Sequence, residues 1–424
     1  MKILFVQSYL GGKEPPVFPL GISCLAAQLS GHDISVFDTN ISGRPFEELK
    51  ERIKDFSPEV ICISLRNIDS TNKRKVVFYY EYLKETIELI KRSSGAKIII
   101  GGSGFSMFAR EIMEDEPGID YGVYLEGEGI IADLLDHLFN PEKIKGIFYR
   151  KEGEVIFTGP AEQVVMNNAR LPERHLFRVD EYKKIPEAIG IETKRGCALK
   201  CVYCIYGFLN GNKYRLRDPK RIADEIEMLA KEYGVNRFTF VDSVFNIPRK
   251  HAAEICQEII GRGIKTEWSA WFSESGLNKD IVMLAIKAGC RKFILSPDGF
   301  TDRALRALEK NITQKDILTS YHIFKDFKEI EVSYNFFKNP PGQTFLGFLY
   351  LIFFFVAAKM QMGRRVHFEF NSMRIEPHTK LYKVALEEGF VKKGESLLFP
   401  KYYTSPGTWY IEKIFNLLLR LKGR

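Results

Sequence analysis

The feature that most constrains this chain is a series of short, continuously apolar segments alternating with amphipathic ones. KILFVQSY (2–9), DISVFDT (33–39), EVICISL (59–65) and AKIIIGG (96–102) lack the in–out alternation of a half-exposed strand. Between them lie PLGISCLAAQLSGH (19–32), closed by Gly31, PFEELKERIKDF (45–56) and YYEYLKETIELIKRSSG (79–95), which read as helices. Continuous β-branched runs separated by helices are the signature of a parallel sheet covered on both faces. YGVYLEGEG (121–129) ends a fifth strand before IIADLLDHLF (130–139). Residues 1–150 are therefore predicted to form a Rossmann-like, doubly wound α/β domain whose ligand lies at the carboxyl ends of the strands.

A small hairpin, IKGIFYRKEGEVIFT (144–158), leads into a linker placed at 151–188. A second strand–helix series runs from 189 to 375. Its strands are IGIETKRG, NRFTFVDS, KTEWSAWFS, RKFILSP, EIEVSYNFF and VHFEFNSMRI. Its clearest helix is DPKRIADEIEMLAKEYG (218–234), with Asp218 as cap and Pro219 at the first position. About six units predict a partial (β/α)6 TIM barrel with its chemistry at the strand C-termini. Residues 376–424 remain as a short C-terminal helical cap.

The chain's 424 residues suit two or three domains. The N-terminus lacks the apolar core and cleavage site of a signal peptide, so a cytoplasmic setting is expected, with cysteines kept reduced. The net charge of +8 is dispersed. It reads as a solvated surface, and no motif points to nucleic acid. TFLGFLYLIFFFVAA (344–358) is shorter than the roughly 20 residues that span a bilayer. A helix apolar all round is expected to be buried between layers or domains; membrane contact or a wall for a greasy substrate are the other readings. WYIEKIFNLLLRLKGR (409–424) is amphipathic and is expected to pack on the body, with interfacial membrane binding as the lesser reading.

KRGCALKCVYCIYG (194–207) concentrates Cys197, Cys201 and Cys204 at the end of the second series' first strand. Three thiolates on one tight loop can hold three corners of a four-iron cluster and leave the fourth iron open to a small molecule. Gly196 eases the turn out of the strand, and Tyr203 can shield the cluster or contact a ligand's ring. A C-x2-C pair alone also admits zinc or a redox dithiol. Structural zinc, however, wants four ligands, and no second pair is present. Cys24, Cys62, Cys256 and Cys290 read as core residues, and His251, His367 and His378 as scattered structural ones.

C-x3-C-x2-C after the first strand of an α/β barrel resembles the radical S-adenosylmethionine (SAM) superfamily. The resemblance implies a [4Fe–4S] cluster on Cys197, Cys201 and Cys204, with SAM on the open iron. It further implies reductive cleavage of SAM to methionine and a 5′-deoxyadenosyl radical, and a one-electron donor such as ferredoxin or flavodoxin. FTFVDSVFNIP (238–248) resembles the superfamily's second-strand motif. On this basis Tyr203, Asp242, Asn246, Ser296, Ser333 and Asn335 are the implied SAM contacts. RIEPHTKLYKVALEEGF (374–390) resembles the stretch after the last strand, where Arg374 and Thr379 face the site or lock the barrel's end. Each of these polar residues otherwise reads as a satisfied strand-end hydrogen bond.

The doubly wound domain ahead of the barrel makes the whole chain resemble the cobalamin-binding radical SAM proteins. Three loops carry this: CISLRNIDST (62–71), with Ser64, Leu65, Arg66 and Asn67; GGSGFS (101–106), with Gly101, Gly102, Ser103 and Gly104; and LEGEG (125–129), with Glu126, Gly127 and Glu128. Small residues there admit a corrin and its nucleotide tail; the glycine pattern by itself leaves another nucleotide or a flavin open. DTNISGRPF (38–46) carries no histidine where some cobalamin domains place their cobalt ligand. The resemblance thus implies cobalamin without a histidine below it, and Leu65 and Arg66 beneath the ring. The activity implied is a C-methyltransferase that moves methyl from SAM, by way of methylcobalamin, to an sp3 carbon. The compact length resembles members that modify a protein or peptide, such as the glutamine C-methyltransferase acting on methyl-coenzyme M reductase. Methylation of a lipid or other small molecule, and cyclisation or rearrangement without methyl transfer, are the alternatives.

Overall fold

The computed structural model describes residues 1–421. It divides into two compact units, Met1–Ile189 and Gly190–Arg424. In the first, strands β1 (Lys2–Gln7), β2 (Asp33–Asp38), β3 (Val60–Ser64), β4 (Lys97–Gly101), β5 (Tyr121–Val123), β6 (Ile147–Lys151) and β7 (Glu154–Phe157) form one sheet. Its order is β2-β1-β3-β4-β5-β6-β7. The first five strands are parallel, and the last two add as an antiparallel hairpin. Ile3, Leu4, Val6, Ile61, Ile98 and Ile100 are fully buried, as the unbroken apolar runs require. Helices Pro45–Phe56 and Tyr79–Ser93 supply apolar stripes, Leu49 with Ile53 and Leu83 with Ile87 and Ile90. The chain reverses its winding between β1 and β3, and in such sheets ligands bind at that switch point.

The segment after the hairpin is docked on this same unit. Tyr182 donates from its hydroxyl to Asp38 Oδ2 at 2.5 Å, and Glu173 N donates to the Ser23 carbonyl at 3.0 Å. Burial raises the Asp38 carboxyl pKa, against the lowering effect of Tyr182.

In the second unit, β8 (Gly190–Ile191) opens the sheet. β9 (Lys194–Arg195) and β10 (Arg215–Leu216) pair beside it. β11 (Arg237–Phe240), β12 (Glu267–Phe272), β13 (Cys290–Asp298), β14 (Glu331–Phe337) and β15 (Val366–Asn371) complete it, and β16 (Met373–Arg374) pairs with β17 (Tyr402–Tyr403). The main sheet is wholly parallel, β15-β14-β13-β12-β11-β8, an open partial barrel. Helix Pro219–Tyr233 begins and ends as the sequence predicts. Asp218 accepts from Lys220 N, and Gly234 closes the helix in the left-handed conformation. An aromatic core of Phe240, Phe245, Trp268, Phe272 and Phe293 packs along β11–β13 and reaches the outer helices, where Phe293 meets Phe324 and Trp268 Nε1 donates to the Ala288 carbonyl.

The apolar segment departs from expectation. It forms the longer helix Phe345–Met362, started by Thr344, whose hydroxyl accepts from Gly347 N at 3.0 Å. By length and composition it is long enough to cross a membrane, yet only 33% of it is buried. Phe348, Leu351, Phe354, Ala358 and Met362 pack inward, while Leu346, Tyr350, Phe353 and Met360 are exposed. It is a crossover between β14 and β15, covered on one face alone rather than sandwiched between layers. Helix Trp409–Leu421 packs beside it through Phe348 and Phe415, with ring centroids 5.1 Å apart. Residues 422–424 of that predicted helix lie outside the described residues.

Candidate functional site

The cysteine loop is shaped by its first residue. Gly196 has φ +89°, and a Cβ there would stand 2.0 Å from the Lys213 carbonyl oxygen. Glycine therefore lets the chain leave β9 under the 211–213 turn, and Cys197 N is then fixed by the Gly211 carbonyl at 3.0 Å. All three thiols line one cavity of about 840 Å³, together with Tyr203, Ser243, Trp271, Glu274, Ser296, Asp298 and Lys310. Burial pushes the Cys204 thiol up to about 12 and raises Cys201 as well. The Tyr214 hydroxyl lies 4.0 Å from Cys197 Sγ.

The predicted SAM contacts separate into two groups. Tyr203 and Ser296 line the cavity, and so does Thr379. Asp242 does not. Its side chain is fully buried and accepts from Thr193 N at 2.8 Å, from the Thr193 hydroxyl, and from Lys194 Nζ at 2.8 Å. Its acceptor capacity is used in tying β9's start to the end of β11. Asn246 likewise locks two loops: its Nδ2 donates to the Ser273 carbonyl and its Oδ1 accepts from Ser273 N, both at 2.8 Å. Ser333 donates to Asn335 Oδ1 at 3.4 Å, and Asn335 Nδ2 reaches Ser296 Oγ at 3.4 Å. These two do not line the cavity themselves and reach it through Ser296. Arg374 pairs with Glu376 at 2.5 Å and donates to the Leu397 carbonyl at 3.0 Å, so it locks the barrel's end.

The charged centre of the cavity was not anticipated from sequence. Lys310 Nζ donates to Asp298 Oδ2 at 2.7 Å and to the Ser296 carbonyl at 2.6 Å, and it lies 3.4 Å from the Tyr203 hydroxyl. Tyr203 also donates to Asp298 Oδ2. Burial works to deprotonate Lys310, but the Asp298 carboxylate offsets it, so its pKa is raised and the ammonium persists. Asp298 holds a left-handed φ of +64°, where β13 shifts register against β14. Such strain in a non-glycine residue gathers at functional sites. Glu274, at the end of β12, is buried with Oε1 unpartnered. Burial pushes its carboxyl up to about 7, with Lys310 opposing. His378 stacks on Phe208 at 4.0 Å on the cavity's rim.

In the first unit the three predicted loops sit at the carboxyl ends of β3, β4 and β5. Two of them are stitched together. Leu65 N donates to the Gly101 carbonyl and Gly104 N to the Leu65 carbonyl, both at 2.9 Å, while Ser103 Oγ donates to the Arg66 carbonyl at 2.7 Å. Gly102 has φ +99°, and a Cβ on it would stand 2.5 Å from the Leu65 oxygen. Its smallness therefore serves this loop-to-loop approach first. Leu65 is fully buried and Arg66 beside it is exposed, so of the two Arg66 is the one open to a ligand. Glu126 accepts from Val164 N at 2.8 Å, tying down the following segment. Gly127 lies against Leu25. Ser64 closes β3, while Asn67 and Glu128 are partly exposed.

Comparison with known proteins agrees with this division. Residues 13–135 match the B12 binding domain, and residues 191–345 match the radical SAM superfamily. The "uncharacterized methyltransferase" of Pyrococcus horikoshii is 25% identical over 73% of this chain and 67% of its own length. The anaerobic magnesium-protoporphyrin IX monomethyl ester cyclase of Synechocystis is 27% identical over 74% of this chain and 65% of its own. The chain thus spans about two thirds of the length of these curated relatives. Among solved structures, the radical S-adenosylmethionine methyltransferase TsrM of Kitasatospora setae, bound to tryptophan substrate and a SAM analogue, superposes with a TM-score of 0.81. That match covers 92% of this chain and 77% of TsrM at 22% identity, and so speaks for the shared fold.

Proposed function

We propose that this chain, which joins a B12-binding domain to a radical SAM domain and is homologous to the cobalamin-dependent radical SAM methyltransferases, is itself a C-methyltransferase. It would move a methyl group from SAM, by way of cobalamin, to a carbon of its substrate. The observation that carries this reading is the opening of Cys197, Cys201 and Cys204 onto one cavity beside a buried charged cluster.

The residues present fit the groups implied. Burial raises the thiols of Cys201 and Cys204, which keep their protons unless positive charge arrives, and iron would supply that charge. Cys197, Cys201 and Cys204 would hold a [4Fe–4S] cluster, and SAM would occupy the adjoining space lined by Tyr203, Ser243, Glu274 and Ser296. The loops at 64–67, 101–104 and 126–128 would hold cobalamin at the carboxyl edge of the first sheet, by backbone amides and exposed side chains rather than by Leu65. When bound, the cluster and SAM supply one-electron chemistry at carbon and cobalamin supplies a methyl carrier. The chain's own part is binding, orientation and exclusion of water. Lys310 and Asp298 hold Tyr203 at the cysteine loop, and Trp271 and Phe272 wall the cavity on the β12 side. A donor such as ferredoxin or flavodoxin would deliver the electron.

The acceptor we propose is a side chain in a protein or peptide, the glutamine of methyl-coenzyme M reductase being one candidate; its support is the resemblance to members that modify proteins. Cyclisation without methyl transfer is the second reading, because the Synechocystis cyclase is as similar to this chain as the Pyrococcus methyltransferase. The reconstituted protein, given SAM labelled in its methyl group, cobalamin, a low-potential reductant and candidate acceptors, distinguishes them. Label in the acceptor supports methyl transfer. A changed acceptor with 5′-deoxyadenosine and no label supports cyclisation. Cys201→Ala should abolish either outcome.

A further inference from the structure

Helix Phe345–Met362 turns an apolar stripe outward. Leu346 is 56% exposed, Tyr350 46%, Phe353 68% and Met360 81%, at the three- and four-residue spacing of one helical face. The outer face of a crossover helix meets water and is ordinarily polar, and a contiguous exposed apolar face marks an interaction site. No residue from 345 to 358 carries a charge. Basic residues border the stripe. Lys359, Arg364 and Arg365 follow at its C-terminal end. Lys413 stands on the neighbouring helix Trp409–Leu421, its Nζ 4.4 Å over the exposed Trp409 ring. Glu412, the one acid between Trp409 and Leu421, is buried. The two helices are joined through Phe345 and Tyr410 at 6.4 Å as well as Phe348 and Phe415.

We propose that this face docks on an anionic bilayer surface. Leu346, Phe353 and Met360 would enter the acyl boundary, Tyr350 and Trp409 would sit at headgroup level, and Arg364 and Lys413 would meet lipid phosphate. Aromatic rings with a polar tip favour that depth, and basic residues beside an apolar face favour anionic lipid. A protein partner fits less well. Protein interfaces carry about one hydrogen bond per 100–200 Å², whereas this stripe offers the Tyr350 hydroxyl alone among its large side chains. Phe348, Leu351 and Phe354 are held in the barrel, so the helix lies on the surface rather than across it.

The test is co-sedimentation of the full holoprotein with vesicles of phosphatidylglycerol or of phosphatidylcholine. Binding to phosphatidylglycerol should be at least about tenfold tighter and should weaken with salt. Phe353→Glu and Met360→Glu should each lose about tenfold or more, while Phe139→Glu, at an exposed site in the first unit, should bind as wild type. Absence of binding, or binding indifferent to both stripe variants, overturns the proposal. So does a dimer in place of vesicle binding that Phe353→Glu dissolves, which assigns the face to a second copy. Should the stripe variants fail to fold, brominated phosphatidylglycerol replaces them: quenching of wild-type fluorescence that Trp409→Phe removes supports docking, and unquenched fluorescence overturns it.

Discussion

Asp242→Asn separates a ligand contact from a structural lock. The sequence pattern assigns Asp242 to SAM; its geometry assigns it to Lys194. Both side chains are essentially fully buried, at 1% and 0% exposure, with Nζ and Oδ2 2.8 Å apart. The amide keeps an acceptor for Thr193 N but turns the ammonium's partner into a neutral group. Lys194 is then left with the Phe245 carbonyl at 3.1 Å and the Phe245 ring at 5.6 Å. Breaking a buried pair from one side costs about 3–5 kcal/mol, and the retained bonds favour the low end, about 3 kcal/mol. For a unit of this size each kcal/mol moves the midpoint by about 2–4 °C, so the second unit should melt about 6–12 °C lower. The three tryptophans, Trp268, Trp271 and Trp409, all lie in that unit, and their fluorescence reads its melting without a signal from the first. SAM affinity, measured well below the transition, should stay within about twofold. A midpoint shift under about 2 °C refutes the lock. So does a loss of SAM affinity of about tenfold in a variant that melts like wild type.

Lys310→Met leaves the buried Asp298 carboxylate without its cation and should cost about 3–5 kcal/mol. Lys310→Met with Asp298→Asn should recover much of that loss, as a double-mutant cycle on chemical denaturation would measure. Glu274 gives the apoprotein a pH dependence of definite sign. Its folded-state pKa of about 7 lies above a glutamate's ordinary 4.5, so the folded chain holds a proton that the unfolded chain releases. The contribution of this group to stability therefore falls as pH rises from about 4.5 to about 7, by roughly 3 kcal/mol, and is constant on either side; Glu274→Gln should remove that component of the slope in tryptophan-monitored melts. Gly102→Ala forces a side chain into φ +99° and against the Leu65 oxygen. It should cost the first unit at least about 2 kcal/mol and release cobalamin during gel filtration.

What the sequence made legible was whatever is written locally. The cysteine spacing and the Asp218–Gly234 helix are each carried by residues close together in the chain, so spacing alone finds them. Asp298, Lys310 and Glu274 come together from three separate stretches, and only the arrangement of the open sheet brings them to one cavity. A signal for Asp298 was available. FILSPDG points to Ser296, yet residues two apart on a strand share a face, so the same stretch also indicated Asp298, and both line the cavity. Asp242 fails for a different reason. It sits where the motif puts it, but Lys194, on the strand that leads into the cysteine loop, takes its charge first. The apolar helix shows the limit of composition. Residues 345–358 are apolar all round, which fits burial on two sides or on one side with something else covering the other. Position in the fold decides between these, since a crossover helix on an open barrel has a sheet beneath it and no layer above. Its outward face is thus a consequence of topology that no window of sequence contains, and the same topology makes it available for docking.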